Sequence, residues 1–512
     1  MKKRTITFFT ALALLLFAGS VAANNINVSN IKLTGQNTTA GVNYPDNYTL
    51  VQFDLSWENS WRISSVPNNW DAAWVFVKYR VGSGDWQHAW LNNTGHSSGT
   101  GTSATIAAGL RTPGTAFNAT SNPALGVFIY RSTDGTGNFS ITGAQLRWNY
   151  GANGVPDNAI VDVKVCAIEM VYVPAGNFYV GSGGTEEYAF YMYPTTTNPY
   201  QITGEGEITV GITNGNLYYP SDGYEFGGDQ SGPIPAAFPK GYAAFYCQKY
   251  EISQQQYVDF LNTLTSAQAS NRYPNKNGSN RHAITLSGGV YSTTNPYVAC
   301  NFLNWMDGAA YSDWAGLRPM TELEFEKACR GPVTQVTNEY AWGTATVASD
   351  EYTLGNPSAN NEGIASNYST SAGNASYMTT TSSINGPLRV GIFAAHADNS
   401  GRITAGASYY GIMELSGNLW ERAVTVGNAT GRAFTGVHGN GALSANGNAN
   451  ETAWPGLDNG EVTGADGSGF RGGNWNNVET DMRVSDRNFA AYTITSRNKN
   501  DGFRAVRVAP AP

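Results

Sequence analysis

"NWMDGAAYSDWAGLRPMTELEFEKACRG", residues 304–331, encodes two helices in succession. The first belongs to an aromatic-rich run over 301–316 and stops at Gly316, because glycine accepts the left-handed backbone that ends a helix. The second fills 319–331: Pro319 precedes it, Thr321 and Glu324 form a reciprocal capping box, and Gly331 ends it. A further helix is predicted upstream in "YEISQQQYVDFLNTL" (250–264). There Ser253 caps, Gln256 stands three residues on, and Tyr257, Phe260 and Leu261 mark one face. After residue 331 the chain is rich in Gly, Asn, Ser and Thr with few periodic segments. Long loops of that kind are functional or are tied down locally, for instance by an ion.

Upstream of these helices the pattern changes to period two. "YTLVQFDLSWEN" (48–59), "AAWVFVKYRV" (72–81), "ALGVFIYRS" (124–132) and "AQLRWNY" (144–150) alternate apolar and polar residues, and "GSGD" (82–85) and "TDGTGN" (133–138) break them. Short strands at this spacing predict a β-sandwich over 24–165. "GANGVPDN" (151–158) reads as a linker or last turn, and a second domain is expected from 166 to 512. Residues 1–23 read as a secretory signal peptide. Lys2, Lys3 and Arg4 precede a short apolar run, and Val21, Ala22 and Ala23 fit a cleavage site. No cysteine follows that cut to carry a lipid, and no later stretch is apolar enough to cross a bilayer.

The formal charge is -8 and only 13% of residues are charged. No basic stripe suits nucleic acid. The low charge, with abundant Gly, Asn, Tyr and Trp, suits an extracellular protein of short strands and long loops. Four cysteines, Cys166, Cys247, Cys300 and Cys329, permit two disulfides in three connectivities, or serve as small buried apolar residues. The five histidines are scattered, so a histidine metal centre is not expected.

Six ordered stretches together resemble the formylglycine-generating enzyme (sulfatase-modifying factor) family. They are "MVYVPAGNFYVGS" (170–182), "YCQKYEISQQQYVDFLN" (246–262), the opening 304–331 segment, "YYGIMELSGNLWER" (409–422), "FRGGNWNN" (470–477) and "GFRAVRV" (502–508). The resemblance implies a variant of the C-type-lectin fold: a small twisted sheet, two main helices and long loops. The fold class expected is therefore α+β for this domain and all-β for the sandwich before it. The family's enzymes oxidise a client cysteine through copper(I), held by two cysteines shortly after the Arg-Gly-Gly motif. Copper(I) needs soft thiolates. Here the last cysteine is Cys329, far upstream of Arg471, so no copper is expected and the named oxidation has no ligands to run on.

The resemblance also implies a structural Ca²⁺ in the turn Glu414 to Glu421. Glu414 and Glu421 would give carboxylates, and Gly417 and Leu419 carbonyls, the hard oxygen donors calcium takes. A second calcium site would map to Asn367, Tyr368 and Asn385. Arg471, Arg483, Arg487 and Arg504 read either as an anion pocket or, preferably, as ties between loops. Some proteins of this lectin-like fold recognise partners through varied Asn-rich positions near the C-terminal end. Asn474, Trp475, Asn476, Asn477, Asp481, Asp486, Asn488, Phe489 and Tyr492 resemble such an exposed face. The sandwich tryptophans, Trp57, Trp61, Trp70, Trp74, Trp86 and Trp90, read as core or as glycan platforms. Together these readings predict a secreted or cell-surface, non-catalytic protein that binds surface polysaccharide or associates with itself. The alternatives are different chemistry in the family cleft and a diversified ligand receptor.

Overall fold

The computed structural model describes residues 25–221, 226–378 and 384–510. The segment read as a signal peptide lies outside them. The fold is mostly β, with few helices, several small two-stranded ribbons and long irregular loops.

The front of the chain builds two facing layers. In one, Tyr48–Ile63 pairs with Asn27–Asn37 on one side and Gly135–Trp148 on the other. In the other, Asn69–Val81 pairs with Ala124–Arg131 and with Val161–Val173. The alternation in the sequence sets which side chains meet between them. Val51, Phe53, Leu55 and Trp57 face Ala73, Val75, Val77 and Tyr79 in one buried core.

The second layer continues into the rest of the protein. Val161–Val173 is bonded to Asn69–Val81 from Val81↔Val161 to Asp71↔Val171, and its far end pairs with Phe245–Gln248. That strand pairs with Ala505–Val508, which in turn pairs with Arg318–Pro319. The division expected between 165 and 166 thus falls inside one strand. Asn69–Val81 is buried on both faces, with Ala72, Trp74 and Phe76 packing on the helical side against residues such as Tyr257, Phe260 and Trp314. Polar ties cross the same seam. Lys249 Nζ reaches Glu169 at 3.0 Å and Asp71 at 3.4 Å, and the Trp74 indole N–H donates to the Ala315 carbonyl at 2.8 Å. A Cβ on Gly109 would come within 2.5 Å of the Trp74 ring, so only glycine lets the neighbouring strand lie over it.

The three predicted helices form as Gln254–Leu261, Trp305–Trp314 and Glu322–Arg330, and the boxes Ser253/Gln256 and Thr321/Glu324 are both made. A helix that was not predicted, Ser266–Arg272, carries a box of its own at Thr265/Gln268. All four cysteines are free, so the two-disulfide alternative does not hold. Each thiol is packed in apolar surroundings, and burial pushes Cys166 and Cys247 up to about 12. No described helix is long and apolar enough to cross a membrane.

Candidate functional site

The Arg-Gly-Gly motif closes a two-stranded ribbon. Ser468–Arg471 pairs with Glu421–Val424, and Glu421 stands opposite Arg471. Gly472 and Gly473 follow at φ 86 and 70. A Cβ on Gly473 would meet Met482 Cγ at 2.6 Å, so the motif is required by the close return of the 474–488 loop.

Arg471 does not face a cleft. It is fully buried, with Nη2 2.7 Å from Glu326 Oε1 and 2.8 Å from the Val484 carbonyl, and Nη1 3.3 Å from Glu322 Oε2. Arg487 donates to Glu322 through Nε at 2.8 Å and Nη2 at 3.1 Å. Arg330 joins Glu326 at 3.1 Å and also binds Glu339. Burial opposes ionisation of Glu322, but Arg487 and Arg471 outweigh it and hold the carboxyl below its usual range. The arginines thus tie loops together, the preferred reading of the sequence. Glu324 pairs with Arg318 through two bonds of 2.8 and 2.6 Å.

Across the ribbon lies the turn read as a calcium loop. Glu414, Gly417 and Asn418 all have positive φ, at 53, 90 and 66. Glu414 Oε1 accepts from the Gly391 N–H at 2.7 Å, while its Oε2 is buried without a partner. Glu421 Oε1 takes Arg504 Nε at 2.6 Å, and its Oε2 is likewise unpartnered. A third carboxylate, Glu251, which no sequence motif singles out, accepts from Asn418 Nδ2 and from the Leu419 N–H at 2.8 Å. Burial, then Glu421 and Glu414, push Glu251 well above the carboxylate range, and burial lifts Glu414 to about 7. The Gly417 N–H goes to the Gly472 carbonyl at 2.8 Å, which couples the turn to the Arg-Gly-Gly motif. Glu414 and Ser376, whose hydroxyl also has no partner, line one small closed pocket. Among the described residues no group of three or more His, Cys, Asp or Glu side chains is arranged to hold a metal.

The residues read as a second calcium site are engaged separately. Asn367 Nδ2 donates to the Glu351 carbonyl, the Tyr368 hydroxyl to the carbonyls of Thr404 (2.8 Å) and Phe393 (3.3 Å), and Asn385 accepts from Asn280.

The predicted recognition face is only partly at the surface. Asn474, Trp475, Asp481 and Asp486 are buried, contrary to expectation, because each is spent inside the fold. Asn474 Oδ1 accepts from the Asn476 N–H at 2.8 Å, and the Trp475 indole donates to the Lys499 carbonyl at 3.2 Å. Asp481 accepts from Asn477 at 2.6 Å, and Asp486 from the N–H groups of Asn488 and Glu187 at 3.1 and 3.3 Å. Asn476, Asn477, Asn488, Phe489 and Tyr492 remain half-buried. Phe489 and Tyr492 pack with Phe226, at 6.0 and 4.7 Å between ring centres.

The profile of the sulfatase-modifying factor enzyme 1-like domain matches residues 161–509, from the first residue of the strand that carries the sheet across the seam. The chain belongs to that family. Two solved structures align with about two thirds of the chain. PvdO from Pseudomonas aeruginosa shows 16% identity over 67% of this chain and 95% of its own, with a TM-score of 0.30. Treponema denticola variable protein 1 shows 13% identity over 67% and 96%, with a TM-score of 0.31. A search of curated proteins returned no match. In this member of the sulfatase-modifying factor family, the loop after Arg-Gly-Gly carries asparagines, Met482 and buried carboxylates, and no cysteine.

Proposed function

We propose that the protein is a non-catalytic, secreted or cell-surface binding protein on a sulfatase-modifying factor scaffold, directed at surface polysaccharide. One observation carries this reading. The charged groups at the Arg-Gly-Gly motif are consumed by one another, Arg471, Arg487 and Arg330 by Glu322, Glu326 and Glu339, and the loop that follows the motif, 474–488, carries no cysteine pair. Such an arrangement holds loops, and the loop offers no thiolate pair to bind copper(I). To test it, purified protein would be incubated with copper(I) and a cysteine-containing sulfatase peptide, and carbonyl formation followed by mass spectrometry. No aldehyde is expected, and its appearance would overturn the reading.

The calcium reading belongs to the same proposal. Buried carboxylate oxygens without a partner, Glu414 Oε2 and Glu421 Oε2, fit a hard cation, since an isolated buried charge is otherwise costly. Glu414 and Glu421 would hold the ion, and Ca²⁺ would supply charge neutralisation that pins the turn to the Arg-Gly-Gly strand.

A further inference from the structure

Two adjoining hollows, each of about 490 Å³, open where the front layers meet the family domain. They share the walls Trp86 and Leu264, so together they make one elongated cleft. Its residues come from both parts of the chain: the hairpin after Val81 on one side, and the loops around Thr263 and Asn440 on the other. Each hollow alone falls within the size range of small-molecule sites.

Three tryptophans line the cleft, and Trp86 and Trp90 differ from the third, Trp314, in the use of the indole N–H. Trp57, Trp70, Trp74, Trp148, Trp305, Trp314, Trp342, Trp454 and Trp475 each donate the indole N–H to a protein oxygen. Trp86 and Trp90 are half-exposed, and no described residue accepts their indole N–H. Both are nevertheless held in place. Arg80 and Lys164 each lie 4.9 Å from the Trp86 ring centre, and Gln87–His88 pairs back onto Lys78 and Tyr79. The Trp90 backbone N–H is fixed by Asn153 Oδ1 at 2.9 Å. A rigid, half-exposed indole offers a flat face for the C–H side of a sugar ring and a spare donor for its hydroxyls. Of the amide side chains in the lining, Asn262 and Gln268 are spent on backbone groups of Tyr291, Thr265 and Ser444, and Gln87 is exposed with its Oε1 taken by the Tyr79 hydroxyl.

Charge narrows the ligand further. Lys78, Arg80, Arg111 and Lys164 line the cleft, against Asp85 as the one acidic lining residue. Arg80 pairs with Asp162, and Lys78 gives protons to the carbonyls of Trp314 and Gly441 at 2.7 and 2.8 Å. Arg111 is exposed; its backbone N–H donates to the Pro123 carbonyl at 2.9 Å, while its guanidinium makes no side-chain hydrogen bond or ion pair to a described residue and acts at longer range on Glu451. With Lys78 buried and Arg80 paired, Arg111 and Lys164 are the cations the cleft offers, on a chain of net charge -8, to negative groups.

We propose that this cleft binds an acidic oligosaccharide, a run of sugar rings bearing carboxylate or sulfate groups, stacked on Trp86 and Trp90 and steered by Arg111. The proposal rests on reading the protein as a polysaccharide binder, and it names where and what it binds. The test is calorimetric titration of the full secreted chain with three probes: alginate oligosaccharides for carboxylate, carrageenan oligosaccharides for sulfate, and cellohexaose as the neutral control. At least one acidic probe should bind, more weakly as salt rises, and about tenfold or more tighter than cellohexaose. Trp86→Ala should raise Kd about tenfold and Arg111→Gln a few-fold; Arg111 is exposed, so its change leaves the fold intact. No binding of either acidic probe, equal affinity for cellohexaose, or unchanged affinity in both variants would overturn the proposal. Aldehyde formation in the copper assay would instead sink the non-catalytic reading, and would leave these titrations as they stand.

Discussion

Two buried charge clusters flank the same ribbon and are built to opposite rules. Glu421 and Arg471 face each other across it, yet neither is the other's partner. On the Arg471 side, three arginines (Arg330, Arg471, Arg487) meet three glutamates (Glu322, Glu326, Glu339). On the Glu421 side, three buried glutamates, Glu251, Glu414 and Glu421, feel Arg504, which forms its one described ion pair with Glu421, while Arg389 also acts on Glu414. A balanced cluster is complete as folded and acts as a structural clasp. An unbalanced one needs a proton or a cation from outside, and so links stability to solution conditions.

The largest effect is expected from unbalancing the first cluster. Glu322→Gln strips the carboxylate from Arg487 and one of the two from Arg471, and leaves buried guanidinium charge behind. Breaking one side of a buried pair costs about 3–5 kcal/mol. Urea denaturation should show a loss of that order. A loss below about 1 kcal/mol, in the range of exposed pairs, would show that the cluster is no clasp.

A smaller, opposite effect tests the second cluster. Chelator-treated protein should gain stability on adding Ca²⁺, by about 2.7 kcal/mol when the ion is at a hundred times its Kd. Glu414→Gln should abolish that gain and leave the metal-free protein as stable as before or more so, because it removes a buried charge. A Glu414→Gln variant that still responds fully to Ca²⁺ would place the ion elsewhere.

How legible these regions were in the sequence follows from the range of the interactions. Capping boxes such as Ser253/Gln256 and Thr321/Glu324 span three residues, so the helices were readable from local pattern. Ser266–Arg272 has the same box but buries only Ala269 and Arg272, so it shows no apolar period to announce it. Val51, Phe53, Leu55 and Trp57 announced the sandwich by alternation. The seam was illegible, because a strand buried on both faces reads as a continuous apolar run with no hint of how many domains share it. The tail after Arg-Gly-Gly misled for a physical reason: Asn474, Asp481 and Asp486 are polar, and polarity was taken for exposure. In a loop-rich fold, buried N–H groups need acceptors: Asn474 and Asp486 supply them to the backbone, and Asp481 to the Asn477 side chain. Charge balance was equally hidden. Glu251 sits in the helix-entry motif, and only the folded chain sets it beside Asn418 and Leu419.

The smallest expected effect extends the comparison to buried carboxylates that no arginine neutralises directly. Asp313 accepts from the N–H groups of Asn440 and Asn450, and burial, then Glu451, lifts it to about 7. Burial and then Asp481 lift Asp486 to about 7. Both folded values lie above the roughly 3.9 of an unfolded aspartate. The folded protein therefore holds more protons between those limits, so this stabilisation is full below about pH 4 and is lost as pH rises through 7. Lys78 works the other way: burial lowers it to about 7, so its penalty is greatest below that pH and relaxes between 7 and about 10.4, the unfolded value. The Tm of the metal-free protein should fall by about 2–4 °C from pH 5 to pH 7, then climb as Lys78 discharges. Asp486→Asn should reduce the fall without changing the climb. A Tm that climbs from pH 5 to 7.5 would mean that these carboxylates are ionised in the fold.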